Sequence, residues 1–191
     1  MTRHETNLVS VGNIAIGGGS PVSLQSMTNT DTRNVSETVK QIVQLVDAGC
    51  DLVRVSVPNL ESVEAFAQIV KRAPCPLIAD VHFDYRLAIG ALQAGASKVR
   101  INPGNIGSWD RVKAIIRTAK EFGAAIRIGV NSGSLPKHIL AKHGKPTAAA
   151  LVEAGLEYLE GFLEEDFDQM VFSFKSSNVL TTIQAYRMAA R

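Results

Sequence analysis

The chain has 191 residues, and 46% of them are hydrophobic, which is enough for one buried core. Its 20 basic and 18 acidic residues leave a formal net charge of +2, and no block of Lys or Arg indicates nucleic-acid binding. No apolar run reaches the roughly 20 residues of a membrane helix. The polar segment Met1–Asn7 resembles neither a signal nor a transit peptide. We therefore expect a cytoplasmic protein with no nucleic-acid or membrane partner.

The first 21 residues predict a hairpin and turn segment. Val11-Gly12-Asn13-Ile14 is a hairpin signal, and Gly17-Gly18-Gly19-Ser20 predicts a turn. The glycine run has no strand before it, so it lacks the context of a nucleotide-binding loop. Residues 22–191 then predict a second unit with its own rhythm of strands and helices.

Six short β-rich runs alternate with helical patterns in this second unit. The runs are Val22–Met27, Leu52–Val57, Leu77–His82, Lys98–Asn102, Ile126–Asn131 and Met170–Lys175. The first helical pattern spaces apolar residues from Val35 to Val46, with Asn34 as its predicted N-cap. Alternation of this kind with short links predicts a parallel sheet. The sheet could be an open doubly wound sheet or a (βα)8 barrel.

The faces of the strands favour the barrel. Strands of a doubly wound sheet are covered on both sides and are nearly continuously apolar. Here Val53, Val55 and Val57 share one face of a strand, whereas Arg54 and Ser56 share the other. The remaining strands repeat this division, and a barrel interior gives the polar face a place. The predicted fold is a parallel (βα)8 TIM-type barrel that stops after about six βα units.

Cations recur on the polar face. They are Arg54, Arg100, Arg127 and Lys175, and Asp80 is the nearby carboxylate. Each cation alone could form an ordinary salt bridge, but one carboxylate cannot neutralise four cations crowded into a barrel. Arginine forks match phosphate oxygens in two-point geometry, so a diphosphate or a pair of phosphates is the predicted ligand.

His82 lies beside Asp80 at the end of its strand. It could donate a hydrogen bond or a proton to the ligand. Alternatively, its hydrogen bonds could be made entirely with neighbouring residues of the protein. Asp80 and His82 are therefore candidate catalytic residues.

The two cysteines, Cys50 and Cys75, each precede an apolar run. We interpret them as ordinary core or loop residues in a reducing compartment, with a disulfide or a metal pair as the alternative. Two thiols alone cannot hold an iron–sulfur cluster, which takes about four ligands. The sequence therefore predicts no metal site in this chain.

Six sequence blocks identify a resemblance to a known family. They are Val9–Asn13, Gln25–Thr30, Val53–Pro58, Ala79–Asp84, Arg100–Gly107 and Ile126–Asn131. In this order they resemble the N-terminal barrel of 4-hydroxy-3-methylbut-2-en-1-yl diphosphate synthase, an enzyme of the non-mevalonate isoprenoid pathway. The resemblance covers nearly the whole chain.

The resemblance implies an iron–sulfur oxidoreductase. The family reductively opens 2-C-methyl-D-erythritol 2,4-cyclodiphosphate with electrons that reach a [4Fe–4S] cluster from flavodoxin or ferredoxin. Positions that bind the diphosphate in the family are matched by Arg54, Arg100, Arg127 and Lys175, and further by Asn102, Asn131 and Ser173.

The resemblance also implies that something is missing. In the family, three cysteines and a glutamate near the C-terminus bind the cluster, and this chain stops before them. We expect it to lack the C-terminal iron–sulfur domain and to have no reductase activity alone, and the resemblance implies a homodimer for the full-length protein.

Two alternatives remain open from the sequence. One is another phosphate-binding barrel of the dihydropteroate synthase kind, for which an acidic and amide-rich wall would be expected. The other is a diphosphate-binding remnant without catalytic function.

Overall fold

The structure, a computed structural model, describes residues 4–190. A short antiparallel hairpin, β1 (Val9–Val11) and β2 (Ile14–Ile16), precedes a sheet of six parallel strands. The sheet strands are β3 (Gln25–Met27), β4 (Leu52–Ser56), β5 (Leu77–Asp80), β6 (Lys98–Ile101), β7 (Ala125–Asn131) and β8 (Met170–Lys175). Their order in the sheet follows the chain, and each strand pairs in parallel with the next. The predicted fold, a TIM-type barrel of about six βα units, is confirmed.

Eight α-helices link or follow the described strands. They are α1 (Val35–Asp47), α2 (Leu60–Val70), α3 (Tyr85–Gln93), α4 (Pro103–Ile106), α5 (Trp109–Glu121), α6 (Lys137–His143), α7 (Ala148–Glu164) and α8 (Val179–Ala189). The Oδ1 atom of Asn34 accepts the backbone N–H of Glu37 at 3.3 Å, which confirms the predicted cap of α1. The helices α4 and α7 have no counterpart in the sequence predictions, whereas a polar helical stretch around His138 and His143 was predicted where α6 lies. None of the helices in residues 4–190 is long and apolar enough to cross a membrane.

The main core lies between the sheet and the helices. Val53, Val55 and Val57 of the β4 segment are fully buried and belong to one cluster with Phe66 and Ile69 of α2. The predicted apolar face of the strands therefore meets the helix layer, and the polar face is left for the barrel interior.

The first sheet strand is shorter than predicted. β3 begins at Gln25, whereas the sequence predicted a strand from Val22. Val22 is 73% exposed, and β3 pairs with β4 alone among the described strands. The backbone N–H of Leu24 donates to the Asp51 side chain at 2.7 Å instead of to a strand. Side-chain capture of this N–H by a residue 27 positions away cannot be predicted from local β propensity.

The predicted hairpin is present, and it closes the bottom of the barrel. We call this apolar layer the floor, and it contains Val9, Val11, Leu52, Ile78 and Ala125. Because these strand residues lie near the starts of their strands, the hairpin covers the N-terminal end and leaves the C-terminal mouth open. The division into units 1–21 and 22–191 stays a prediction.

One side of the sheet is uncovered within residues 4–190. β3 and β8 are the outer strands, and each pairs on one side only. On α8, the side chains of Val179 and Leu180 are exposed. Unpaired outer strands and exposed apolar helix positions are features of a parallel sheet that has not closed into a barrel.

Candidate anion-binding site

Strand register brings the predicted polar residues together on one wall. Residues opposite each other in parallel strands point to the same face of the sheet. Asp80 of β5 pairs with Arg100 of β6, and Arg100 pairs with Arg127 of β7. Ser56 of β4 pairs with Asp80, which places Arg54 on the same face one step nearer the floor. We call this polar face of β4–β8 the interior wall.

Asp80 is the hub of the interior wall. Its side chain is almost fully buried, with the whole residue 3% exposed. Its Oδ1 lies 3.2 Å from Nη1 of Arg100, and its Oδ2 lies 3.6 Å from Nε of Arg54. Nε of Arg54 also lies 3.3 Å from the sulfur of Met27. One carboxylate therefore orients two guanidinium groups and leaves most of their N–H donors unused.

Arg127 is the third guanidinium of the wall. It donates from Nε to Oγ of Ser173 at 3.1 Å, which ties β7 to β8. Burial and the nearby Arg54 lower the pKa of Arg127. The wall therefore holds more positive charge than its described residues neutralise.

His82 lies at the mouth of the barrel, next to Arg100 and Asp80. Its Nδ1 lies 3.3 Å from Nη1 of Arg100, and its Nε2 lies 3.8 Å from Oδ2 of Asp80. A guanidinium can only donate, so Nδ1 must accept, and the ring proton then sits on Nε2. Because the side chain is 47% exposed, this N–H can reach a ligand in the mouth.

The other predicted substrate-binding residues lie apart from the arginines, Asp80 and His82. Asn102 is buried, accepts the N–H of Gly104 at 3.1 Å and donates to Oγ of Ser134 at 2.6 Å. These bonds tie the loop after β6 to the loop after β7. Asn131 and Lys175 are paired in register at the mouth, where Lys175 is exposed and makes no hydrogen bond or ion pair with residues 4–190. The structure thus joins the three arginines, Asp80, His82 and Ser173, and sets the remaining three at the rim.

One interior cation escaped the sequence prediction. Lys98 lies two residues before Arg100 and so shares its face, yet it is 2% exposed and reaches no carboxylate of the described residues. The same alternation that selected Arg100 and Asn102 also selects Lys98. Lys98 was not predicted to be interior because it is the first residue of its strand, and lysines at the ends of strands are usually solvated.

The cysteines do not fit an iron–sulfur cluster. Cys50 and Cys75 precede β4 and β5, at the floor end of the barrel and away from the arginines. Burial raises the pKa of the Cys75 thiol, which disfavours the thiolate that ligates iron. Within residues 4–190, no group of three or more His, Cys, Asp or Glu side chains could hold a metal ion.

The fold and the wall define a class: a parallel α/β barrel with a cation-rich interior wall. Residues 6–191 match the family described as the GcpE TIM-barrel domain, and the chain belongs to that family. The resemblance found in the sequence is therefore confirmed.

Curated relatives of this chain carry the name of the same enzyme family. The chain is 54% identical over 191 residues to a 4-hydroxy-3-methylbut-2-en-1-yl diphosphate synthase (flavodoxin) of Clostridium perfringens, covering all of this chain and 55% of that protein. It is 49% identical over 189 residues to the Pseudomonas putida protein of the same name, covering 99% of this chain and 51% of that protein. The chain spans about half the length of the curated relatives it matches.

Solved structures of similar shape include dihydropteroate synthases. The Yersinia pestis enzyme has a TM-score of 0.65 at 11% identity and covers 93% of this chain and 68% of its own. The Vibrio fischeri enzyme has a TM-score of 0.66 at 12% identity, with 96% and 72% covered. At such identity the likeness shows the barrel fold alone, so it does not favour the dihydropteroate synthase alternative as a function.

Proposed function

We propose that this chain is the substrate-binding barrel of a 4-hydroxy-3-methylbut-2-en-1-yl diphosphate synthase. The observation that carries the proposal is that Arg54, Arg100 and Arg127 share one wall with a single buried carboxylate, Asp80, which contacts Arg54 and Arg100. In this proposal the guanidinium groups hold the diphosphate of 2-C-methyl-D-erythritol 2,4-cyclodiphosphate. An acidic, amide-rich wall would instead favour a pterin ligand.

The charges of ligand and wall complement each other. A cyclic diphosphate carries one negative charge on each phosphate, and the three arginines exceed the one carboxylate by two positive charges. Arg100 and Arg127 are neighbours in register, so two phosphates joined by a bridging oxygen can lie across β6 and β7. Lys175 and Asn131 would meet the ligand at the rim of the mouth.

In this proposal His82 is a hydrogen-bond donor at the mouth. With Nδ1 held by Arg100, His82 would donate to an oxygen of the ligand from Nε2, which lies 3.8 Å from Oδ2 of Asp80 on a side chain that is 47% exposed. Asp80 is better suited to orient the arginines and His82 than to transfer a proton, because it is buried beneath them.

The redox part of the reaction is assigned to the full-length protein. A [4Fe–4S] cluster would supply the two electrons that open the ring, with flavodoxin or ferredoxin as the donor. The described residues offer no ligand set for it, so this chain's own contribution is to bind and orient the substrate. We propose that the chain alone lacks reductase activity and that a homodimer brings the cluster domain to this mouth.

Isothermal titration calorimetry with the cyclodiphosphate tests the proposal. We expect saturable, salt-sensitive binding to a chain that melts cooperatively by circular dichroism. Binding of a pterin diphosphate but not of the cyclodiphosphate would support the dihydropteroate synthase alternative. A cooperatively folded chain that binds neither ligand would refute the proposed function.

Activity distinguishes the full enzyme from a binding remnant. We expect no ring opening by this chain with reduced flavodoxin, and ring opening when the barrel is part of a protein that carries the cluster. A reduced product from the chain alone would contradict the assignment of the redox chemistry to another domain.

A further inference from the structure

Lys98 lies in an apolar layer beneath the arginines. Its partners in register are Ile78 of β5 and Ala125 of β7, which are both fully buried residues of the floor. Lys98 is itself 2% exposed, and it forms no hydrogen bond or ion pair with any described residue. A lysine is almost never buried so completely without a partner.

The charged groups that face Lys98 are mostly cations. Arg127 of β7 and Arg54 of β4 both act against its ammonium form. On its own strand Arg100 is two residues further on, and Asp80 of β5 is already engaged by Arg54 and Arg100.

The other elements around the floor bring no counter-charge. The hairpin beneath contributes Val9 and Val11, and β8 contributes Val171. Tyr186 of α8 raises the pKa of Arg127 and is not among the groups that shift the pKa of Lys98. The described chain therefore holds a lysine that is only 2% exposed beside two guanidinium groups and supplies no carboxylate for it.

We propose that Lys98 is a further anion-binding residue of this site and that it takes up a proton from solvent when a diphosphate enters the barrel. The proposal rests on the proposed function, because the same diphosphate would bring negative charge near Lys98 as well as near the arginines. The proton goes to Nζ, and no covalent bond forms or breaks. By linkage, an anion that stabilises the ammonium is bound more tightly when the ammonium is present.

The direction of the pH dependence follows from the empty site. Burial, then Arg127 and Arg54, lower the pKa of Lys98 to about 8. A bound diphosphate raises it again, so binding takes up protons at pH values between the pKa of the empty site and that of the occupied site. Below about pH 7 the amine is already protonated and uptake is small. Affinity therefore falls as pH rises above about 8.

Calorimetry in buffers of different ionisation enthalpy counts these protons. The probe is the cyclodiphosphate, since each of its phosphates has one strongly acidic proton and does not titrate near neutral pH. At about pH 9 we expect uptake of roughly half a proton to one proton per ligand bound by the unaltered chain. Lys98→Met keeps the length of the side chain and removes the charge. The exposed Lys40 of α1 provides the matched control, Lys40→Met.

The expected result is that Lys98→Met binds on the order of tenfold more weakly at about pH 7 and takes up no proton at about pH 9. Lys40→Met should behave as the unaltered chain in both respects. Binding without proton uptake by the unaltered chain, or equal uptake by Lys98→Met, would overturn the role of Lys98 and leave the diphosphate site standing. Failure of the folded, unaltered chain to bind would refute the proposed function as well.

Discussion

The guanidinium of Arg100 lies against Gly129 on the interior wall. A Cβ atom at Gly129 would stand 3.0 Å from both Nε and Nη2 of Arg100. Gly129 is not among the glycines with a positive φ, so the strand backbone does not require glycine there. The missing side chain instead provides the space in which Arg100 lies while it contacts Asp80.

Gly129→Ala should weaken diphosphate binding without unfolding the chain. The new methyl group meets the far end of a flexible side chain, so Arg100 moves aside at little cost in stability. The Arg100 guanidinium then loses its contact with Asp80 and its orientation toward the ligand. We expect on the order of tenfold weaker binding in calorimetry. Gly133→Ala is the control, because nothing lies within 4 Å of a Cβ there. Equal affinity of the two variants would mean that the position of Arg100 does not matter for binding.

Replacement of each interior arginine should lower affinity directly. We expect Arg54→Ala, Arg100→Ala and Arg127→Ala each to cost about 1.5–3 kcal/mol of binding free energy for the cyclodiphosphate, the scale of a charged hydrogen bond. The exposed Arg72 provides a control for the loss of one positive charge, Arg72→Ala. If all three interior variants bound as tightly as Arg72→Ala, the arginines would not face the ligand.

Simple alternation was enough to predict much of this site. Arg54, Arg100 and Arg127 each sit between apolar residues of a strand, and period-two alternation assigns such residues to one face. Helix and strand alternation likewise predicted the barrel, because parallel strands need crossover connections. Both inferences rest on local periodicity, which depends on the backbone geometry of each element and not on its neighbours in the fold.

The features that depend on neighbouring strands could not be predicted in the same way. The resemblance implied that Asn102 binds the diphosphate, but it does not show that the Asn102 amide links two loops through Ser134, 32 residues away. Gly129 has a role only because a side chain from the adjacent strand crosses to it. The hairpin signal at Gly12 was visible, but its packing under the floor depends on tertiary contacts.

Asp80→Asn should destabilise the empty site and make it more responsive to anions. The substitution keeps the shape but leaves Arg54 and Arg100 without their carboxylate, and we expect a loss of about 2 kcal/mol in the free energy of unfolding. Chemical denaturation measures this loss, with the exposed Asp47→Asn as the control. The cyclodiphosphate should then stabilise Asp80→Asn more than it stabilises the unaltered chain, since it replaces the lost charge. An Asp80→Asn protein as stable as Asp47→Asn would show that Asp80 does not hold the arginines together.

Lys98→Met should stabilise the chain in the absence of any anion, and the gain should depend on pH. The pKa of Lys98 falls from 10.5 to about 8 on folding, so the folded state binds fewer protons than the unfolded state between these values. Stability of the unaltered chain therefore rises with pH through that window, and below about pH 8 the full penalty of the buried ammonium applies. The penalty is on the order of 3 kcal/mol.

Urea denaturation across this pH range measures the difference. Lys98→Met should exceed the unaltered chain in unfolding free energy by on the order of 3 kcal/mol at about pH 7, and the difference should shrink toward about pH 10. Lys40→Met carries the same change at an exposed position of α1 and should show neither effect. A constant difference between Lys98→Met and the unaltered chain would attribute the gain to apolar packing rather than to a buried charge. A loss of stability at neutral pH would mean that Lys98 has an anionic partner when the site is empty, and the floor would then need no ligand to complete it.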